Sequence, residues 1–217
     1  VIIEKEGIII TNEHVINDSQ DIRVTLPDQR EFSAHLIVSE KKTDIAILKI
    51  DDQSVDFPYA KMGNSDLLET GDRVIAIGNP FGIGQTVTSG IISAVSRNNS
   101  NISDHEFFLQ TDAAINPGNS GGALVNMNAE VIGINTAILS KTGTNLGIGF
   151  AIPINRIRFL IENLRDTESG LKISYPWIGA LVKTDSENNV VISKIYENSP
   201  ASLSGLKNDD IVISVNN

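Results

Sequence analysis

The stretch Thr111-Asp112-Ala113-Ala114-Ile115-Asn116-Pro117-Gly118-Asn119-Ser120-Gly121-Gly122 decides how this chain is read. One hydroxyl stands among glycines, and the apolar run Ala123-Leu124-Val125 follows directly. Glycine reaches positive φ without steric cost, so such a backbone can turn tightly at the entrance to a strand. The amides of Gly118 and Ser120, with Asn119 between them, could then converge on a developing oxyanion, as acyl transfer requires. The same residues also suit an ordinary hairpin turn with an incidental serine.

Two further positions bear on that choice. Thr11-Asn12-Glu13-His14-Val15 follows the apolar run Gly7-Ile8-Ile9-Ile10, and Thr43-Asp44-Ile45-Ala46-Ile47-Leu48 sets an acid just before a second one. His14, Asp44 and Ser120 thus occur in the chain order of the double β-barrel triad, each at the edge of an expected strand. A serine hydroxyl is a weak nucleophile that needs an adjacent base. Imidazole, with an unperturbed pKa of ~6.5, suits that task. A carboxylate on its other nitrogen fixes the tautomer and stabilises the imidazolium. On these residues alone, a chance arrangement stays open.

His35 and His105 are the other histidines. His35 reads as a solvent-facing strand residue in Phe32-Ser33-Ala34-His35-Leu36. His105 lies in a polar loop between Asp104 and Glu106, a trio better read as solvated than as a metal site. No metal or cofactor is expected.

Seven collinear blocks resemble the HtrA-type serine proteases, most closely bacterial envelope proteases of the DegP, DegQ and DegS type. They are Thr11–Val15, Asp44–Lys49, Ala76–Gly82, Gly84–Gly90, the serine run itself, Gly133-Ile134-Asn135-Thr136-Ala137 and Gly147–Pro153. The resemblance covers nearly all of residues 1–153. It implies a mainly β chymotrypsin/trypsin-like fold, with two perpendicular six-stranded barrels and the active site between them. It also implies catalytic roles for His14, Asp44 and Ser120, and an oxyanion hole at Gly118, Asn119 and Ser120. Ile115, Ile138 and Leu139 would line the substrate pocket. Such aliphatic walls favour small aliphatic side chains, with the broad specificity expected when one methylene discriminates by roughly 1–3 kcal/mol. Arg97 would open a sensor loop that couples peptide binding to the active site.

Composition sets wider bounds. The 217 residues are 41% hydrophobic, enough for one or two packed domains. No apolar stretch approaches the roughly 18–20 residues of a membrane span. A net charge of −10 argues against a general nucleic-acid or anionic-membrane surface. Without cysteine there is no disulfide, thiolate metal site or cysteine nucleophile. The chain opens at Val1 in a strand-like run and stops just after an apolar one, so it reads as a fragment whose first strand is missing or shortened.

Short strand-like runs separated by turn clusters dominate the first 150 residues, the pattern of a sandwich or barrel pair. Asn155 can cap a helix after Pro153, with Ile157, Leu160, Ile161 and Leu164 at helical spacing. A protease domain over 1–165 and a linker over 166–174 are expected. Residues 175–217 resemble the first part of a PDZ domain. Tyr175–Ala180 stands where its carboxylate-binding loop would lie, and Ser199-Pro200-Ala201 precedes Gly205–Ile211, with Ser204 where alanine is usual. Strands are expected near 177–182, 190–195 and 211–215.

The chain departs from the family pattern at turns. Gln29 and Ala129 replace glycines, and Ser96 stands where glycine is frequent. Each is expected to cost under ~1 kcal/mol if φ adapts. By kinship the protein would be a trimer, or a multiple of trimers, in the periplasm or cell envelope. It would degrade misfolded polypeptides after small aliphatic residues without ATP and bind C-terminal peptides through PDZ. A DegS-like regulatory protease and a latent, chaperone-like binding module are the alternatives.

Overall fold

The computed structural model describes residues 1–17, 19, 21–79, 84–97, 108–138, 147–165 and 177–215. It divides into two compact units, Val1–Leu171 and Lys172–Asn217.

In the first unit, β1 (Ile2–Glu4), β2 (Ile8–Thr11), β3 (Ile22–Thr25), β4 (Glu31–Glu40) and β5 (Ile45–Ile50) form an antiparallel sheet. Its order is β1-β2-β5-β4-β3. β5 is central and buried over Ile45–Leu48, which explains that apolar run, and only Lys49 interrupts it before Ile50. Ile9, Leu48, Ile50 and Phe57 pack beneath the sheet, with Phe32 edge-on to Phe57 at 5.0 Å. The expected first six-stranded barrel is therefore a five-stranded sheet among the described residues. Closure needs paired edges, and β1 and β3 each pair on one side only.

The second half closes fully. β6 (Arg73–Gly78), β7 (Thr86–Arg97), β8 (Phe108–Thr111), β9 (Ala123–Asn126), β10 (Val131–Ile138) and β11 (Gly149–Pro153) form a barrel ordered β10-β11-β8-β7-β6-β9. Val74, Ile92, Leu109, Leu124 and Ile132 fill it. α2 (Ile154–Arg165) buries Ile154, Ile157, Leu160 and Ile161 and packs on β10 and β11. Asn155 is one residue inside this helix rather than at its cap. Its side chain donates to Asn64 Oδ1 at 2.6 Å, and its amide to Ser65 Oγ at 3.1 Å.

Gln29 and Ala129 keep φ values of 69° and 58°. These turns have not adapted: non-glycine residues occupy backbone built for glycine.

In the second unit, β12 (Ala180–Thr184) and β13 (Val190–Ile195) form a two-stranded antiparallel sheet. Ser199 caps α3 (Pro200–Leu203) by accepting from the Ser202 amide, and its hydroxyl donates to Gly179 O at 3.2 Å. The strand expected over 211–215 reduces to one bridge between Ile211 and Val191. Ile213 and Val215 lie exposed. No helix among the described residues is long and apolar enough to cross a membrane.

Candidate active site

Strand pairing decides where the histidine and aspartate emerge. Thr11, ending β2, pairs with Ala46 near the start of β5. The chain leaving β2 therefore meets the chain entering β5. Here α1 (Glu13–Ile16) begins, so His14 lies on a single helical turn rather than simply at a strand edge. Asp44 precedes β5 at φ 53°, a region that aspartate tolerates better than most residues. His14 Nδ1 lies 2.9 and 2.8 Å from the Asp44 carboxylate oxygens, and the His14 amide donates to Oδ1 at 3.0 Å. The ring's Nδ1–H thus donates to the carboxylate, leaving Nε2 as an acceptor.

Ser120 sits in the loop entering β9. Gly118 and Gly121 take φ values of 96° and 79°. The Asn119 amide donates to Asn116 O at 2.9 Å and the Gly122 amide to Asn119 O at 3.0 Å, making the turn compact. Thr88 Oγ1 donates to Ala114 O at 2.9 Å, and the Ile91 amide to Asp112 Oδ1 at 2.7 Å, tying the approach to β7. Asn135 Nδ2 donates to Ile77 O and Ala123 O. Asn119, 2% exposed, packs over Gly78, where an added Cβ would stand 2.8 Å from its Cα. Among the described residues, Asn119 Oδ1 and Asn135 Oδ1 are buried without a hydrogen-bond partner. One in the serine loop and one on β10 beside it, these two groups concentrate polar cost at a candidate functional site. No described residue accepts from the amides of Gly118 or Ser120.

Thr136 joins the halves. Its hydroxyl donates to Asp44 Oδ2 at 2.6 Å, and its carbonyl accepts from Ser120 Oγ at 2.8 Å. No hydrogen bond joins Ser120 directly to His14. Ser120 must leave the Thr136 carbonyl before it can donate to the ring. Thr136 lies within the Gly133-Ile134-Asn135-Thr136-Ala137 block, and nothing in that block alone gives it a role. A threonine in a strand is ordinary, and only its contact with a carboxylate 92 residues away singles it out.

Other expected positions fall elsewhere. Ile115 is 2% exposed and lies in the barrel core, where Gly149 passes close to it. The side chains of Ile138 and Arg97, and all of Leu139 and His105, lie outside the described residues. His35 pairs with Asp51 at 2.5 Å, at the opposite end of β5 from Asp44.

The model of the trypsin-like peptidase domain matches residues 1–134. A probable periplasmic serine endoprotease, DegP-like, of Chlamydia pneumoniae is 45% identical across 99% of this chain and 45% of its own length. Periplasmic serine endoprotease DegP of Escherichia coli K12 is 42% identical across the whole chain and 47% of its own length. The chain spans about half the length of these curated relatives. Among solved structures, the HtrA-type protease AlgW with a tripeptide superposes with a TM-score of 0.80 at 43% identity. That match covers 97% of this chain and 72% of AlgW.

Proposed function

Because the chain belongs to the trypsin-like peptidases and, within them, to the HtrA-type serine proteases, we propose that it is a serine endopeptidase with Ser120 as nucleophile. The observation that carries this reading is the hydrogen-bonded chain from His14 through Asp44 and Thr136 to Ser120. His14 Nε2 takes the Ser120 proton as Oγ attacks the scissile carbonyl. Asp44 holds the resulting imidazolium. The amides of Gly118 and Ser120 receive the oxyanion, and losing one such donor typically costs about 2.7–4 kcal/mol. His14 then protonates the leaving amine, and water repeats the sequence on the acyl-enzyme.

The proposed substrates are misfolded polypeptides of the periplasm or cell envelope, cut after small aliphatic residues. Its relatives' names, which place them in the periplasm, support that location. AlgW's structures with a tripeptide and a decapeptide support peptide binding. A trimeric assembly, a domain division at 166–174 and a partial PDZ domain over 175–217 belong to the same proposal. So do Ile115, Ile138 and Leu139 as pocket walls and Arg97 as a regulatory residue.

One observation favours a second reading, a regulated protease that rests latent. Ser120 is bonded to Thr136 O and not to His14. Full-length protein and its Ser120→Ala variant, incubated with unfolded casein and mapped for cut sites, test both. Cleavage after small aliphatic residues, lost in the variant, supports the housekeeping protease. Cleavage only after C-terminal peptides are added, and weakened by Arg97→Ala, supports the regulated one. Equal cleavage by the variant rejects Ser120 in either case.

A further inference from the structure

We propose that Asn12 is a positioning residue that sets the serine loop against the histidine–aspartate pair. The inference rests on the catalytic reading of His14, Asp44 and Ser120 given above. Asn12 occupies the N-cap of α1, with φ −81° and ψ 150°. Asparagine is favoured there because its side-chain oxygen accepts from the first helical amides. This one makes no capping bond. Its Nδ2 donates to Asp44 O at 2.9 Å, and its Oδ1 accepts from the Gly121 amide, 109 residues away, at 2.6 Å.

The two bonds reach the backbone on either side of the reaction. One holds the residue whose carboxylate binds His14; the other holds the residue next to the nucleophile. Gly121 is gripped at the same time from its own barrel, its amide lying 2.9 Å from Asn135 O. Asn12 is fully buried. Thr11 Oγ1 occupies the space where a Cβ on Gly121 would lie, so the contact across the halves is close-packed. Bridging a carbonyl and an N–H needs one donor and one acceptor on a short planar group. An amide supplies both, whereas a carboxylate lacks the donor. Without the bridge, the serine loop keeps its links to Asn135 but loses this direct one to Asp44.

The test uses full-length wild type, Asn12→Ala, Asn12→Asp and Asn126→Ala. Asn126 closes the 126–130 turn, accepting from the Asn128 and Glu130 amides at 3.0 Å, and serves as a stability control outside the site. The measurements are the rate of fluorophosphonate labelling at Ser120, kcat and KM on fluorescent casein, and the unfolding midpoint. Both Asn12 variants are expected to lower labelling and kcat by about 10²-fold, the scale of a small misplacement of reacting groups. KM should change less than about twofold. Asn126→Ala should lose stability and keep the labelling rate. Asn12→Asp matches the asparagine in shape and keeps the test readable if Asn12→Ala fails to fold. It should also raise the pH of half-maximal labelling, because the added carboxylate favours the imidazolium. Wild-type labelling by the Asn12 variants, or slowing no greater than in Asn126→Ala at matched stability, overturns the proposal. Wild type that is not labelled at Ser120 overturns the catalytic reading beneath it.

Discussion

Thr136 Oγ1 donates to Asp44 Oδ2 at 2.6 Å, and the carbonyl of the same residue takes the Ser120 hydroxyl at 2.8 Å. Together with the ring and amide of His14, this hydroxyl supplies the third donor to the Asp44 carboxylate. A carboxylate held from three directions cannot swing away when His14 gains a proton. Hydrogen bonds to charged groups are worth about 1.5–3 kcal/mol. If that is expressed in the transition state, Thr136→Val lowers kcat roughly 10- to 100-fold with little change in KM. Thr136→Ser should recover most of it. Steady-state kinetics on casein peptides check this, and an unchanged kcat in Thr136→Val would show the bond to be incidental.

The sequence points to candidate residues more readily than to the bonds that join them. The approach of His14 to Asp44 was legible from two polar residues at the edges of apolar runs and from their chain order with Ser120. β5 was legible from its continuous apolar run. Thr136 and Asn12 were not, because their significance lies in bonds spanning 92 and 109 residues. Asn12 even resembles an ordinary cap at the start of α1. The strand expected over 211–215 misled because apolar alternation records a tendency to pair, and among the described residues the pairing stops at the Ile211–Val191 bridge and the Val212 amide on Val190 O.

The turns at Gln29 and Ala129 lead to a stability prediction. A left-handed φ costs an ordinary residue about 1–2 kcal/mol, offset in part by the greater unfolded-state entropy of glycine. Ala129→Gly and Gln29→Gly should each stabilise the protein by on the order of 0.5–1 kcal/mol. Urea unfolding of the single variants measures this. A lower midpoint in both would mean that the turns are not strained.

Glu130 carries a pH signature. Its bond to Lys61 at 2.6 Å, then its bond to Asn126, hold its carboxyl below the ordinary value of 4.5. A depressed folded-state pKa stabilises the protein above the unfolded pKa, and that contribution disappears as pH falls through the folded value. Wild type should therefore exceed Glu130→Gln in thermal midpoint near neutrality, and the gap should narrow below pH 4.5. A gap that stays constant down to pH 3 would remove Glu130 from the acid response.

The central claim is that Ser120 is activated by His14, and covalent capture tests it most directly. Full-length protein is treated with a fluorophosphonate and the adduct is located by mass spectrometry, alongside His14→Ala and Asp44→Asn. One adduct is expected, on Ser120, formed orders of magnitude more slowly in both variants. An adduct on another residue, or labelling of Ser120 that does not depend on His14, would contradict it.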